Sequence, residues 1–348
     1  MAKKIIFHST NRSDFSYIKN IIIKLTIKNK IFVIFYNDNK SEYLNLKKKF
    51  LTNVNIKIFF FNKIKTTSVN IFKLNKKIGA DFNFVVGDRK EMILPTLISH
   101  NMKIPVLHLG GGEATKNSPD DNYRQIISML SSYHFCSTIY AKKRLNEMGI
   151  NRNIKIVGAT SYEELSKLDL SKNKNILNKY KLVENEYILF NFHSESFNFD
   201  KELKLVKYTL KRLSEHIFKI IITSSNKDFN GNKLNAYYKK IRNDKFIFID
   251  SIGSEFYKYF LFNCKFMIGN SSSGIIESIF FKKLNISIGN RQIGRDHDNN
   301  TLFLGYDFKK INSILKNIES KIKPPLEIKY VYKKYKSSSV ISKTLDKF

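Results

Sequence analysis

A chain of 348 residues with 42% hydrophobic residues, 29 Phe and 18 Tyr is long enough for two domains with cores of their own and too apolar to stay disordered. Its formal net charge of +31 raises nucleic acid or an anionic membrane as partner, yet the lysines are spread through nearly every segment beside Asn and Ile, with no basic arm and no zinc-finger spacing. A low-GC genome suffices to produce that bias, so neither nucleic acid nor membrane is expected as partner, while an anionic small substrate suits the charge.

From the N-terminus, short β-branched and aromatic runs alternate with amphipathic segments, the pattern of βα units and a parallel sheet. Strands are predicted at "KIIFHS", "IFVIFY", "IKIFFF", "FNFVVGD", "IPVLHLG", "HFCST" and "KIVGA", with helices at "DFSYIKNIIIKL", "EMILPTLISHNM", "NYRQIISMLSS" and "AKKRLNEMG". The polar stretch "KLDLSKNKNILNKYKLVENE" breaks the rhythm and reads as a junction. Strands resume at "YILFNFH", "KIIITSS", "KFIFID", "KFMIGN" and "NISIGN", with "SGIIESIFF" among the helices between them. The expectation is an α/β fold of two Rossmann-like doubly wound domains, residues 1–165 and 166–330, with residues 331–348 forming a helix that returns to the first domain. Ligands of such sheets bind outside the carboxyl ends of the strands, and those ends are expected around one cleft. The apolar run after "MAKK" is too short for a signal sequence, no stretch reaches membrane-span length, and Cys136 and Cys264 lie apart in apolar runs, so a cytoplasmic protein without a disulfide is expected.

The candidate chemistry sits where strands end. Asp88, in "VVGDRKEM", reads as a strand-end acid or equally as the N-cap of the next helix. In "HLGGGE", three glycines remove side chains where backbone approaches something closely, and Glu113 follows; no Lys-Ser/Thr comes after them, which excludes a Walker-type loop. "SPDDNYR" opens like a helix, with Ser118 and Pro119 leading into Asp120, Asp121 and Arg124; Asp120 and Arg124 are spaced for an ion pair on one helix face. Clustered carboxylates raise one another's pKa, so one can hold a proton while another is ionised. "GNSSSGIIES" offers small residues, hydroxyls and free amides at a helix start, suited to an anion, with Glu277 placed for a ribose. Arg291 and Arg295 follow in "IGNRQIGR", and Asn226 and Asp228 end another strand. His193 closes the strand "YILFNFH"; His108 and His134 lie in strand-like runs and read as interior, and no His, Cys and carboxylate spacing matches a metal site.

"GDR" with Glu91, "HLGGGE", "DDNYR", "NFH", "TSSNKDFNG", "DSIGSEFY", "GNSSSGIIES" and "IGNRQIGR" follow the order and spacing of the UDP-N-acetylglucosamine 2-epimerase family, over roughly residues 3 to 300. The chain most resembles the hydrolysing branch, which supplies N-acetylmannosamine or a related sugar for sialic-acid-like nonulosonates. That resemblance implies a GT-B type architecture, a UDP-sugar substrate, no metal and no nicotinamide cofactor. It implies expulsion of UDP from C1 with loss of the C2 proton, a glycal intermediate, and addition of water with protonation of C2 on the other face. Asp88, Glu113 and Asp120 match the family's carboxylates; Arg12, Arg124 and His193 match positions expected near the diphosphate; Ser271, Ser272 and Glu277 match phosphate and ribose contacts, with Asn226 closer to the nucleotide. The chain departs from the family at Thr10 and Asn11, where a glycine and a threonine are usual, and a positive φ there would strain Thr10. Asn290 stands for an aspartate, which loses a charge and keeps hydrogen bonding. The alternatives are a GT-B glycosyltransferase, which needs an acceptor, a non-hydrolysing epimerase, whose product keeps UDP, and a basic nucleic-acid-binding protein. A homodimer is left open, because aromatic content does not locate a face.

Overall fold

The computed structural model describes residues 2–10, 12–36, 56–62, 66–115, 120–169, 171, 173–226, 229–250, 253–318, 330–332 and 336–347. The chain divides into two units, Met1–Glu163 with Tyr332–Phe348, and Glu164–Val331. In the first unit seven strands, β1 (Lys4–Ser9), β2 (Lys30–Tyr36), β3 (Ile56–Phe61), β4 (Phe82–Val86), β5 (Val106–Leu109), β6 (Tyr133–Cys136) and β7 (Ile154–Ile156), pair in parallel in the order β3-β2-β1-β4-β5-β6-β7. Alternate residues of a strand face opposite sides, which gives the sheet two cores. Ile5, Phe7, Phe84 and Leu107 meet Ile18, Ile21 and Ile22 of the helix Arg12–Leu25. On the other face Ile6, Ile34, Val85 and Val106 meet Ile71, Ile98 and Ile127 from the helices Ser68–Ile78, Ile93–Asn101 and Asp120–Leu130.

The C-terminal helix, Ser337–Leu345, belongs to this first unit and adds Ile341 and Leu345 to the core that contains Ile18. Its N-terminus is held by a buried acid: Glu163 accepts from the Ser338 amide and, at 2.8 Å, from the Ser338 hydroxyl. A carboxylate at that end answers the unpaired amides and the positive pole of the helix dipole.

Six parallel strands build the second unit: β8 (Tyr187–Asn191), β9 (Lys219–Thr223), β10 (Phe246–Ile249), β11 (Phe266–Gly269), β12 (Leu284–Ile288) and β13 (Thr301–Gly305), in the order β10-β9-β8-β11-β12-β13. The expected fold class, doubly wound Rossmann-like α/β, is the one observed. Three local expectations are corrected. β13 was not foreseen: it is an edge strand with a register shift against β12, and its five residues lack the long apolar run that marks the central strands. The stretch read as a junction contains the helix Asn173–Lys179, whose Ile176 and Leu177 pack with Tyr259 and Phe260, so its polar composition reflects a solvated helix face. "SGIIESIFF" is not one helix but a turn of helix, Ser273–Ile276, and a 3-10 turn, Ser278–Phe281, with the Ser278 hydroxyl donating back to the Gly274 carbonyl.

In each sheet the winding reverses once, between β1 and β4 and between β8 and β11. The crevice outside the carboxyl ends of those strand pairs is where such sheets take ligands.

Candidate functional site

In the first unit the ends of β4, β5 and β6 bring acids around one arginine. Gly87 turns the chain out of β4 with φ 70°, and Asp88 follows. Arg124, on the helix Asp120–Leu130, is 2% exposed. Its guanidinium donates to the carboxylates of Asp88 and Asp121, to the Glu113 carbonyl at 2.9 Å and to Thr115 Oγ1 at 3.5 Å. A buried cation requires such neutralisation, and the planar fork of arginine serves several acceptors at once. The Glu113 carboxylate accepts from the hydroxyl of Ser137, the first residue past β6, at 2.7 Å. Asp88 does not cap a helix; Arg89 holds the cap position of the 3-10 turn Lys90–Met92, without a side-chain cap bond.

The glycines serve the protein's own packing. Gly112, at φ 75°, lies so close to the helix Ile139–Glu147 that a Cβ would stand 2.1 Å from the Ala141 carbonyl oxygen. That close approach fixes where Glu113 leaves the chain. At the first loop, the strain expected of Thr10 is not found: Thr10 is not among the described residues with positive φ, and its hydroxyl donates to Asp14, which also accepts from Arg89 Nε at 3.0 Å. The Arg12 side chain and Asn11 lie outside the described residues, as do Ser118, Pro119 and Asp228.

In the second unit His193 follows β8. Its amide donates to Asn270 Oδ1 at 2.7 Å, and its Nδ1 accepts from the Asn226 amide at 3.0 Å. Burial, followed by the positive charge of Arg291, lowers its pKa to about 3. The ring is therefore neutral at pH 7, and with Nδ1 accepting, the proton sits on Nε2 as a donor. The loop after it is pinned by two acids. Glu202, fully buried, accepts from the amides of Glu195 and Ser196 and from both serine hydroxyls of 194 and 196, at 2.7–2.9 Å. Glu195 accepts from Asn270 Nδ2 at 3.0 Å, from the amides of Asn290 and Arg291 at 2.8 and 2.7 Å, and from the Tyr306 hydroxyl at 2.8 Å. At the winding reversal only glycine fits: a Cβ on Gly269, at φ 150°, would stand 1.9 Å from the Asn191 carbonyl oxygen. Ser271 Oγ lies 3.0 Å from Ser273 Oγ, which also bonds the Tyr257 hydroxyl. Ser272 precedes the helix Ser273–Ile276, and Glu277 sits at its end, its amide donating to the Ser273 carbonyl at 2.9 Å, rather than inside a longer helix.

A family profile described as UDP-N-acetylglucosamine 2-epimerase matches residues 62–346. The chain belongs to this family. It is 34% identical, over 256 residues, to a Campylobacter jejuni protein named GDP/UDP-N,N'-diacetylbacillosamine 2-epimerase (hydrolyzing), covering 69% of this chain and 64% of that one. It is 28% identical, over 242 residues, to a Neisseria meningitidis UDP-N-acetylglucosamine 2-epimerase, with the same coverages, 69% and 64%. The chain thus spans just under two thirds of the length of these curated relatives. A solved structure of the Neisseria meningitidis UDP-GlcNAc 2-epimerase bound to UDP-GlcNAc shares the fold, with a TM-score of 0.84 at 18% identity over 99% of this chain and all of that one.

Against the epimerase pattern, the structure brings Asp88, Glu113 and Arg124 together in the first unit, and His193, Asn226 and Ser271 at neighbouring strand ends in the second. It alters one expected pairing. Arg124 pairs with Asp121, three residues before it, and not with Asp120, which is exposed at the first position of the helix. The Arg124 guanidinium is turned inward to the acids, so its bonds orient Asp88 and the Glu113 main chain. Sequence reasoning gave no role to Asp121, Ser137, Glu195 and Asn270. The last three lie within two residues of the ends of predicted strands, and strand-end position was the available signal. Among the described residues no group of three His, Cys, Asp or Glu is placed to hold a metal ion, and no helix is long and apolar enough to cross a membrane.

Proposed function

We propose that this protein is a hydrolysing 2-epimerase acting on UDP-N-acetylglucosamine or a UDP-diacetamido-trideoxyhexose, releasing UDP and the free 2-epimeric sugar through a glycal. The observation that carries the reading is the Arg124 cluster, in which one buried guanidinium holds the Asp88 carboxylate and the Glu113 main chain at adjacent strand ends, in a chain of this family. Breaking the C1–O bond leaves positive charge on the sugar ring and negative charge on the diphosphate, so acids belong near one and donors near the other. Asp88, Glu113 and Asp120 stabilise the ring cation and move protons at C2 and on water. His193 donates from neutral Nε2 to the departing diphosphate, and Arg12 supplies positive charge to the same group. Ser271, Ser272 and Glu277 hold phosphate and ribose, and Asn226 fixes the His193 tautomer through its amide.

The test is incubation with each sugar nucleotide while UDP release is followed, with product NMR in heavy water. UDP, the free sugar and deuterium at C2 are expected. UDP release no higher than that of the Asp88→Asn, Glu113→Gln double variant refutes the reading; product that keeps UDP makes the enzyme non-hydrolysing, and release that needs an acceptor makes it a glycosyltransferase.

The buried, unpaired thiols of Cys136 and Cys264, both raised to about 12 chiefly by burial, suit a reducing compartment, and we place the enzyme in the cytoplasm on that ground. The same reading takes the protein as a homodimer. In an isologous contact a patch meets its own copy, so lysines there would repel. The adjacent helices Ile93–Asn101 and Asp120–Leu130, joined where His100 meets the Leu130 carbonyl, carry no lysine, and they expose Leu97, Ile126 and Met129 at 41%, 44% and 59%. Light scattering should give a dimer, and Ile126→Glu with Met129→Glu a monomer; a monomeric parent protein refutes this.

A further inference from the structure

The helix Asp120–Leu130 turns two polar side chains inward, Arg124 and Ser128, four residues apart and so on one face. Arg124 takes the Asp88 carboxylate. Ser128 reaches His108 on β5, its hydroxyl oxygen 3.1 Å from Nδ1, and His108 Nε2 stands 2.8 Å from the Gly87 carbonyl oxygen. A carbonyl only accepts, so Nε2 carries the proton; Nδ1 is then the acceptor and Ser128 the donor. Both residues are buried, and burial lowers the His108 pKa to about 3, which keeps this neutral tautomer through the range in which enzymes are assayed.

Gly87 immediately precedes Asp88. It sits in the left-handed region at φ 70° with no side chain to anchor it, and a Cβ built there would touch nothing within 4 Å. Its amide is fixed by the Leu109 carbonyl at 2.8 Å, and its carbonyl by His108. The peptide that launches Asp88 is therefore gripped from β5, and the carboxylate at the other end from the helix.

We propose that His108, oriented by Ser128, is the positioning residue for Asp88: it locks the Gly87 peptide while Arg124 locks the carboxylate, so one helix face sets both ends of the acid. The inference rests on Asp88 acting as proposed above. A histidine that merely filled the core would be replaceable by any side chain of similar volume.

The test compares His108→Leu, which keeps bulk and loses the donor, with His108→Gln, whose amide can still donate to the Gly87 carbonyl, and with Ser128→Ala alone and combined with His108→Leu. Steady-state UDP release is measured with the sugar nucleotide that the parent protein turns over, and hydrogen exchange is followed in a peptide spanning Gly87–Arg89. His108→Leu should lose roughly tenfold to a hundredfold in kcat with KM within about twofold, His108→Gln should recover most of that loss, and the double variant should be no worse than His108→Leu. Exchange at Gly87–Arg89 should quicken in His108→Leu and not in His108→Gln, with the second unit unchanged. Equal kcat for the Leu and Gln variants, a loss carried by KM, or unchanged exchange overturns the proposal. Should His108→Leu fail to fold, Ser128→Ala gives the same comparison with a smaller kcat loss expected, and an unaltered kcat overturns it. If the parent protein releases no UDP, the proposed function falls, and the exchange measurement still decides whether His108 grips the Gly87 peptide.

Discussion

Replacing Arg124 by Met keeps most of the side-chain volume and removes the charge that joins Asp88, Asp121 and the Glu113 carbonyl. Deleting one member of a buried ion pair costs about 3–5 kcal/mol, because the partner is left buried and uncompensated. Here the side chains of the two acids are 28% and 23% exposed, so water recovers part of their solvation, and about 2–3 kcal/mol is the expected cost. For a unit of this size each kcal/mol moves Tm by roughly 2–4 °C, so its transition should fall by roughly 4–12 °C. Scanning calorimetry checks this, and Arg124→Lys, which keeps a charge without the fork, should recover less than half. A double-mutant cycle of Arg124→Met with Asp88→Asn should show a coupling of at least about 1 kcal/mol. A Tm within about 2 °C of the parent's, or additive costs, would refute the claim that this buried pair organises the acids.

Gly112→Ala forces a Cβ to within 2.1 Å of the Ala141 carbonyl oxygen at φ 75°, so a loss of about 2 kcal/mol or more by chemical denaturation is expected, with kcat reduced because Glu113 adjoins it. A Gly112→Ala protein of parental stability contradicts the packing described. Glu202→Ala removes the acceptor of four donors around Ser194–Ser196, and UDP affinity by calorimetry should drop roughly tenfold, with Glu202→Gln intermediate. Stability should fall in acid. Burial lowers His8 and His134 to about 4 and His108 and His193 to about 3, from 6.5. The unfolded chain therefore binds protons first, and the contribution, full above pH 6.5, is lost as pH falls toward 4 and then 3, at up to about 1.4 kcal/mol per pH unit for each histidine. Urea unfolding at pH 7.5, 6.0 and 5.0 should show the decline, and His8→Gln should reduce the slope by roughly one histidine's share.

Twelve of the thirteen strands among the described residues, the two doubly wound sheets and the strand-end placement of Asp88, Glu113 and His193 were legible in the chain, because β-branched runs, amphipathic spacing and glycine turns act locally and repeat. What acts at a distance was not. "DDNYR" offers Arg124 two aspartates, and spacing alone favours Asp120; the structure pairs it with Asp121, since packing Ile127 and Ser128 against the sheet sets the helical phase and turns Arg124 inward toward Asp88. The three glycines announced a close approach, but only the fold reveals that Gly112 yields to the Ala141 carbonyl. Thr10 looked strained by comparison with its family, and a hydroxyl bond to Asp14 accommodates it. Nothing near His108 in the chain marks it apart from other core histidines; its partners, Gly87 and Ser128, lie 21 and 20 residues away and meet it only once β4, β5 and the following helix have packed. Local propensity decides which segments form, while the long-range registers of a sheet decide which polar atoms end up within hydrogen-bond reach.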